Sequence, residues 1–208
     1  MSQVHRYCST LAIALMVAGL LTWPTASRAQ TVTGEASAVQ ATTFETVPLL
    51  GGLLSTTTSL ADTGTLTSIN DALDASQLTG SVLSLLNAET LSAATISWPD
   101  QVDSEASLAN LNVSLAGVGI SADFVMAQAS QVLGAAGTGS SELDNLSVNG
   151  VPVFVTGELN QVVGIPGGQM IINEQTISST GQAVVNALHV SVSGVADMVI
   201  ASATAGIS

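Results

Sequence analysis

The sequence predicts an all-β protein, an antiparallel two-sheet β-sandwich of jelly-roll-like type, preceded by a cleavable signal helix. Three observations favour this fold class. Apolar and polar side chains alternate along much of the chain beyond residue 30, pairs of Gly, Asn or Pro interrupt this alternation at short spacing, and an apolar run near the N-terminus is typical of an export signal. We expect residues 1–29 to be a signal peptide and residues 30–208 to form a single all-β domain.

Period-two alternation is clearest in the middle of the chain. Leu111, Val113 and Leu115 alternate with polar or small residues, and the stretch 120–126 repeats the pattern. Successive side chains of a strand point to opposite faces of a sheet, so this spacing predicts strands with one buried face.

The sharpest local signal is Asn149-Gly150, which separates two apolar alternating runs. Both residues tolerate the positive φ that a type I′ turn requires, which predicts a tight hairpin at this point. Pro152 follows directly, and because proline cannot donate to a ladder we expect it on an edge strand.

The C-terminal third predicts three further strands, which bring the expected total to eight to ten. They span Gln169–Ile177, Gln182–Ser193 and about Ala196–Ala203, with turns at Pro166-Gly167-Gly168, Thr180-Gly181 and Gly194. Many short strands separated by turn residues favour a sandwich or a barrel.

Residues 51–93 allow two interpretations. Ile69, Leu73 and Gln77 have the spacing of one face of a short helix that begins near Asn70. A pair of strands joined by a loop rich in Ser and Thr fits the same segment equally well.

The first 29 residues have the organisation of an export signal. Arg6 lies near the start, an apolar run extends over 11–21, Pro24 ends it, and Ser27-Arg28-Ala29 places small residues where a signal peptidase requires them. The apolar run is shorter than the roughly 20 residues of a membrane-spanning helix. We therefore expect cleavage before Gln30 and a secreted or cell-surface location, with no transmembrane segment in the mature chain.

The charge of the chain is unusually one-sided. Its 2 basic residues, Arg6 and Arg28, both precede residue 30, whereas all 15 acidic residues follow it. The net charge of −13 becomes 0 − 15 = −15 once the leader is removed. Because affinity for nucleic acid comes largely from Lys and Arg, we predict no nucleic-acid partner.

Five motifs follow one another in the C-terminal half of the chain: Asp144–Gly150, Ile172–Gln175, Val185–Val190, Ala196-Asp197 and Ile200–Ser202. Through these motifs, roughly residues 105–205 resemble the choice-of-anchor P family. Members are exported bacterial proteins in which a common domain precedes varied surface anchors, so the resemblance implies a secreted or surface-displayed domain and names no ligand.

His189 is the only histidine beyond the leader, so any imidazole chemistry must use it. If the strands on either side of Thr180 form a hairpin, positions that sum to about 360 face each other. Alternation places His189 with Ala187 and Ser191. We predict a structural polar cluster that sets the register of the two strands; the alternative is a Ser–His–acid site with Asp197, although no Gly-x-Ser-x-Gly elbow is present. The predicted cluster consists of Asn173, Glu174, Asn186 and His189.

The densest acidic cluster contains Asp100, Asp103 and Glu105, directly after Trp98-Pro99. Three loop carboxylates could begin a Ca²⁺ site, because hard cations prefer oxygen ligands. Solvated turn carboxylates are the interpretation that we favour. An exposed Trp98 beside converging oxygens would support ligand binding, and a buried indole would support a structural role.

We therefore expect a secreted or cell-surface structural or adhesive domain without catalytic activity and without a cofactor. The first alternative is a Ca²⁺-assisted carbohydrate-binding module, and a hydrolase is the second. Expected partners are the extracellular matrix, a glycan, or another copy of the chain through sheet edges.

Overall fold

A computed structural model describes residues 30–47 and 52–208, with side chains over 30–45 and 54–208. The predicted signal helix, 1–29, lies outside the described residues. The described chain is built from strands, and within it no helix is long and apolar enough to cross a membrane. The thirteen strands are β1 (Val32–Val47), β2 (Gly52–Asp62), β3 (Ala72–Val82), β4 (Leu86–Ser97), β5 (Gln101–Leu115), β6 (Val118–Val132), β7 (Thr138–Asp144), β8 (Ser147–Val148), β9 (Val151–Pro152), β10 (Gln161–Ile165), β11 (Gly168–Ile177), β12 (Ala183–Val192) and β13 (Ala196–Ile207).

The strands form two open antiparallel sheets, which confirms the predicted β-sandwich. The six-stranded sheet has the order β10-β11-β12-β13-β1-β2; the seven-stranded sheet has the order β3-β4-β5-β6-β8-β9, with β7 also paired to β6. The first and last strands are neighbours, since Val32 faces Ile207, and Thr31 and Ser208 exchange two backbone hydrogen bonds of 2.8 and 3.0 Å. Both ends of the described chain therefore lie side by side.

The hairpin predicted at Asn149-Gly150 is confirmed. Both residues have positive φ, 51° and 75°, and Val148 faces Val151 across the turn. Pro152 lies on the terminal strand β9, where its missing N–H breaks no ladder. The strand ends there, however, and residues 153–160 form a loop.

The segment from 52 to 97 contains strands β2, β3 and β4, so the helical interpretation from Asn70 onward is wrong. Ile69 lies in the loop before β3 and is exposed, while Leu73 packs against the core. The helix spacing was accidental, because cross-strand pairing of β3 with β4 determines which side chains are buried.

The core between the sheets consists mainly of aliphatic side chains. Alanine, valine, leucine and isoleucine form one buried cluster together with Met170 and Met198, and no aromatic ring of the described residues belongs to it. Such a core lets the two sheets approach closely. At Gly139 of β7 a Cβ atom would overlap Val185 of β12, so only glycine fits between the sheets at this point.

Buried polar groups connect the two sheets. The Gln131 side chain is 2% exposed; its Nε2 donates to the carbonyls of Ala135 and Thr180 at 3.0 and 3.1 Å, and its Oε1 accepts from Ile207 N at 2.8 Å. Nearby, Ser104 Oγ donates to the Thr204 carbonyl at 2.6 Å. The contacts with Thr180, Ile207 and Thr204 cross from the seven-stranded to the six-stranded sheet, whereas Ala135 lies in the turn after β6. Together they satisfy groups that would otherwise be buried unpaired.

One row across the six-stranded sheet breaks the period-two alternation. Neighbouring residues Ala187 and Leu188 are both buried in β12, and the same doubling occurs at Ile200-Ala201 in β13. Asn173 in β11 and Ala201 have positive φ, 53° in each case, and the pairing of their strands skips them. Along each of these strands, the two residues that flank the row and share a face are therefore three positions apart, and not two.

Candidate functional site

The outer face of the six-stranded sheet carries a group that we call the histidine cluster, Glu174, Asn186, His189 and Asp197. Glu174 faces Asn186 in the register of β11 and β12, as the sum of 360 predicted. Glu174 Oε2 accepts from Asn186 Nδ2 at 2.7 Å and lies 3.0 Å from His189 Nδ1. On the other side, His189 Nε2 lies 3.2 Å from both carboxylate oxygens of Asp197 in β13. The imidazole thus joins three adjacent strands.

Two opposing effects act on the pKa of His189. Partial burial by itself lowers that pKa, but hydrogen bonds to Asp197 and Glu174, together with the negative charges of these carboxylates, outweigh the burial and raise it above its ordinary value. The imidazolium form satisfies both neighbours, because each ring N–H then donates a hydrogen bond to a carboxylate.

Asn173 does not belong to this cluster, which corrects the predicted set. Its positive φ turns the side chain to the inner side of β11, where Nδ2 points at the carbonyls of Gly157 and Glu158, 3.4 Å away from each, and Oδ1 accepts from Gln175 Nε2 at 2.7 Å. Ala187 is buried and also lies on the opposite face from His189, contrary to simple alternation.

The contacts of the cluster are those of an ion-paired network. Both ring nitrogens of His189 face carboxylates, and the nearby Ser202 hydroxyl donates to Asn186 Oδ1 at 2.8 Å. A Ser–His–acid site requires a hydroxyl hydrogen-bonded to the imidazole. In the described part of the chain, the imidazole has no such hydroxyl partner among its hydrogen bonds.

The outer face of the seven-stranded sheet carries a concave depression of about 730 Å³, which we call the trough. It crosses β3, β4, β5, β6 and β7, and two rows of mutually facing residues form its floor. The first row is Ala72, Ile96, Asp103, Ser130 and Thr138, and the second is Asp74, Ala94, Glu105, Gln128 and Ser140.

Amide side chains orient two of the carboxylates in the trough. Gln101 Nε2 donates to both oxygens of Asp103 at 2.9 and 2.8 Å, and Gln128 Nε2 donates to Glu105 Oε2 at 2.6 Å. Ser140 Oγ donates in turn to Gln128 Oε1 at 3.3 Å. These contacts leave further carboxylate lone pairs for an incoming donor.

The structure places the three candidate Ca²⁺ ligands differently from expectation. Asp103 and Glu105 lie within strand β5 and not in a loop, whereas Asp100 lies in the turn before it. Among the residues that the structure describes, no three His, Cys, Asp or Glu side chains group together as metal ligands. Trp98 is 40% exposed in that turn, so the indole is accessible but the oxygens do not converge beside it.

Sequence reasoning identified Glu174, Asn186 and His189 and singled out Asp103 and Glu105, but it did not identify the trough. Asp74 and Gln128 share a row with Glu105 through three strand pairings, β3 with β4, β4 with β5 and β5 with β6, and no local pattern reports such a juxtaposition. No family model, curated protein or solved structure matches this chain.

Proposed function

We propose that this chain is an exported structural or adhesive domain of the cell surface or extracellular matrix that acts without catalysis. The arrangement of residues 1–29 and the resemblance of residues 105–205 to exported surface proteins support export. The observation that carries the non-enzymatic role is the environment of His189, whose two ring nitrogens both face carboxylates of neighbouring strands. The only imidazole beyond the leader is thereby engaged in holding strands together.

The surroundings of this group fit the same role. Hydroxyl and amide side chains pair with one another on the exposed faces of the sheets, as between Thr42 and Thr57 at 3.0 Å and between Ser121 and Ser147 at 2.8 Å. Neutral polar faces of this kind keep a sandwich soluble with few charges, and open sheet edges offer backbone groups for lateral contacts.

Export is tested with two variants at the predicted cleavage site. Ala29→Asp removes the small residue required at position −1, whereas Arg28→Gln changes only the neighbouring side chain. We expect the wild type and Arg28→Gln to begin at Gln30 and to occur in medium, envelope or matrix, and Ala29→Asp to retain its leader. Mass spectrometry of the fractions, prepared with and without chelator, measures both results. A chain that keeps residues 1–29 and stays in the cytosol would contradict export.

The non-enzymatic role is tested in source cells that lack this chain, by measuring surface attachment and matrix mass. We expect the wild type and His189→Gln to restore both properties below the melting temperature of the variant. Loss of function in His189→Gln with an unchanged melting temperature would instead indicate that the imidazole performs chemistry.

A Ca²⁺-assisted carbohydrate-binding module is the second candidate, and the exposed indole of Trp98 favours it. Exposed aromatic rings are suited to stacking against sugars. The test is a glycan array with the wild type and Trp98→Ala, each with and without Ca²⁺. Binding that disappears in Trp98→Ala would support this candidate over the first.

A further inference from the structure

The trough is a concave surface to which the described residues contribute a specific set of side chains. It holds Asp74, Asp103 and Glu105 without any positive charge, because residues 30–208 contain neither Lys nor Arg. We propose that it binds an extended, lysine- or arginine-bearing polypeptide segment of another protein. This inference goes beyond the proposed function and does not require it.

Charge complementarity selects the chemistry of the partner. The three carboxylates face solvent in a surface that lacks any cation of its own, so the field inside the trough attracts positive groups and repels anionic glycans or phosphates. A second copy of residues 30–208 cannot supply the cation, since it is equally devoid of Lys and Arg. The occupant is therefore a different molecule.

The dimensions of the trough favour an extended chain. It crosses five strands, and neighbouring strands lie about 4.8 Å apart, so its length is about 19 Å, or about six extended residues. Asp74 and Glu105 face each other across β4, about 10 Å apart, which equals about three residues of an extended chain. In an extended segment of polyproline-II type, which has three residues per turn and a rise of about 3.1 Å per residue, basic side chains at positions i and i+3 lie on one face and would meet both carboxylates.

The floor also provides partners for a peptide backbone and for apolar stems. Ser130, Thr138 and Ser140 offer hydroxyl groups at one end, and Ala72, Ala94 and Ile96 offer an apolar surface at the other. The long methylene stems of Lys and Arg pack well on such surfaces. No aromatic side chain is among the residues that line the trough, which favours a peptide over a stacked sugar.

The experiment uses the mature chain and the synthetic peptide Ala-Lys-Ala-Ala-Lys-Ala, with Glu replacing Lys in a control peptide. Binding is measured by calorimetry and by backbone amide NMR shifts of the wild type. Two triple variants with the same net charge are compared: D74N/D103N/E105Q in the trough, and E45Q/D144N/E158Q outside it.

We expect the lysine peptide to bind the wild type, to shift amides of Ala94 and Ser130, and to bind the trough variant about tenfold more weakly. The control variant should bind within about twofold of the wild type. Equal weakening in both variants, or shifts spread over the whole surface, would reveal unspecific attraction to an acidic protein and overturn the proposal. So would the absence of peptide binding, or a neutral oligosaccharide or Ca²⁺ alone shifting the same amides. If the trough variant does not fold, the backbone amide shifts of the wild type still test the proposal.

Discussion

His189 Nδ1 lies 3.0 Å from Glu174 Oε2, across the pairing of β11 with β12 on the outer face of the six-stranded sheet. The ring continues to Asp197 on β13, at 3.2 Å from Nε2. Protonation gives the ring a donor toward each carboxylate, whereas the neutral ring leaves one nitrogen lone pair facing a negative charge. Because the charge of His189 depends on pH, the ion pairs that join these three strands depend on pH as well.

We expect stability to fall as the pH rises above about 6. The pKa of His189 is raised in the folded chain, so its stabilising contribution is fully present below the pKa of the unfolded chain and is lost as the pH passes through the folded value. The loss should be about 1 kcal/mol or less, because the cluster is partly exposed. Urea unfolding between about pH 5.5 and 8.5 measures it.

The composition of the chain allows this pH dependence to be assigned to one side chain. Residues 30–208 contain no Cys, Tyr, Lys or Arg, so His189 is their one side chain that titrates in this range. His189→Gln should flatten the pH dependence to the small slope of the terminal amine. A slope that stays unchanged in this variant would refute the role assigned to the imidazole.

Gln131→Leu should destabilise the fold by about 2–4 kcal/mol. The substitution leaves Ile207 N and the carbonyls of Ala135 and Thr180 without their buried partner, and each unsatisfied buried group costs about 1–3 kcal/mol. Gln169→Leu is the matched control, because its side chain is exposed. Chemical unfolding should show that the free energy of unfolding of the control changes by no more than about 0.5 kcal/mol. Equal losses in the two variants would contradict the role of Gln131 in connecting the sheets.

Gly139→Ala should destabilise the fold by about 1–3 kcal/mol, because the added methyl overlaps the stiff Val185 side chain of the opposite sheet. Gly164→Ala is the control: its Cβ would meet nothing within 4 Å. Melting temperatures of the two variants distinguish them. If both fold as stably as the wild type, the sheets do not approach as closely at β7 as described.

Thr90→Gly should stabilise the fold by about 0.5–1 kcal/mol. Thr90 is exposed in β4 and has a φ of 50°, a conformation that a β-branched residue adopts only with strain and that glycine adopts freely. Ser92→Gly, two residues further along the same strand, should destabilise the fold by a similar amount, because this glycine only increases the conformational entropy of the unfolded chain. A destabilised Thr90→Gly variant would show that the bulge in β4 is not strained.

Part of the histidine cluster could be predicted and part could not. The turn at Thr180 fixes which positions of β11 and β12 face each other, so the pairing of Glu174 with Asn186 follows from counting residues. That Asn186 and His189 share a face does not follow from such counting, because strict alternation assigns residues three apart to opposite faces. The irregular row through Asn173, Ala187 and Ala201 shifts that phase, and it is a feature of how three neighbouring strands, β11, β12 and β13, pair.

Some properties can be read directly from the amino-acid sequence: the strand periodicity, the tight turn at Asn149-Gly150 and the separation of all basic residues from all acidic ones. Other properties exist only in the folded chain: which strands are neighbours, where the alternation shifts, and the presence of Asp74 in the same trough as Asp103 and Glu105. The reason is that a strand pattern reports which side chains are buried, whereas the partner across the ladder is chosen by the shape and area that whole sheets bury together.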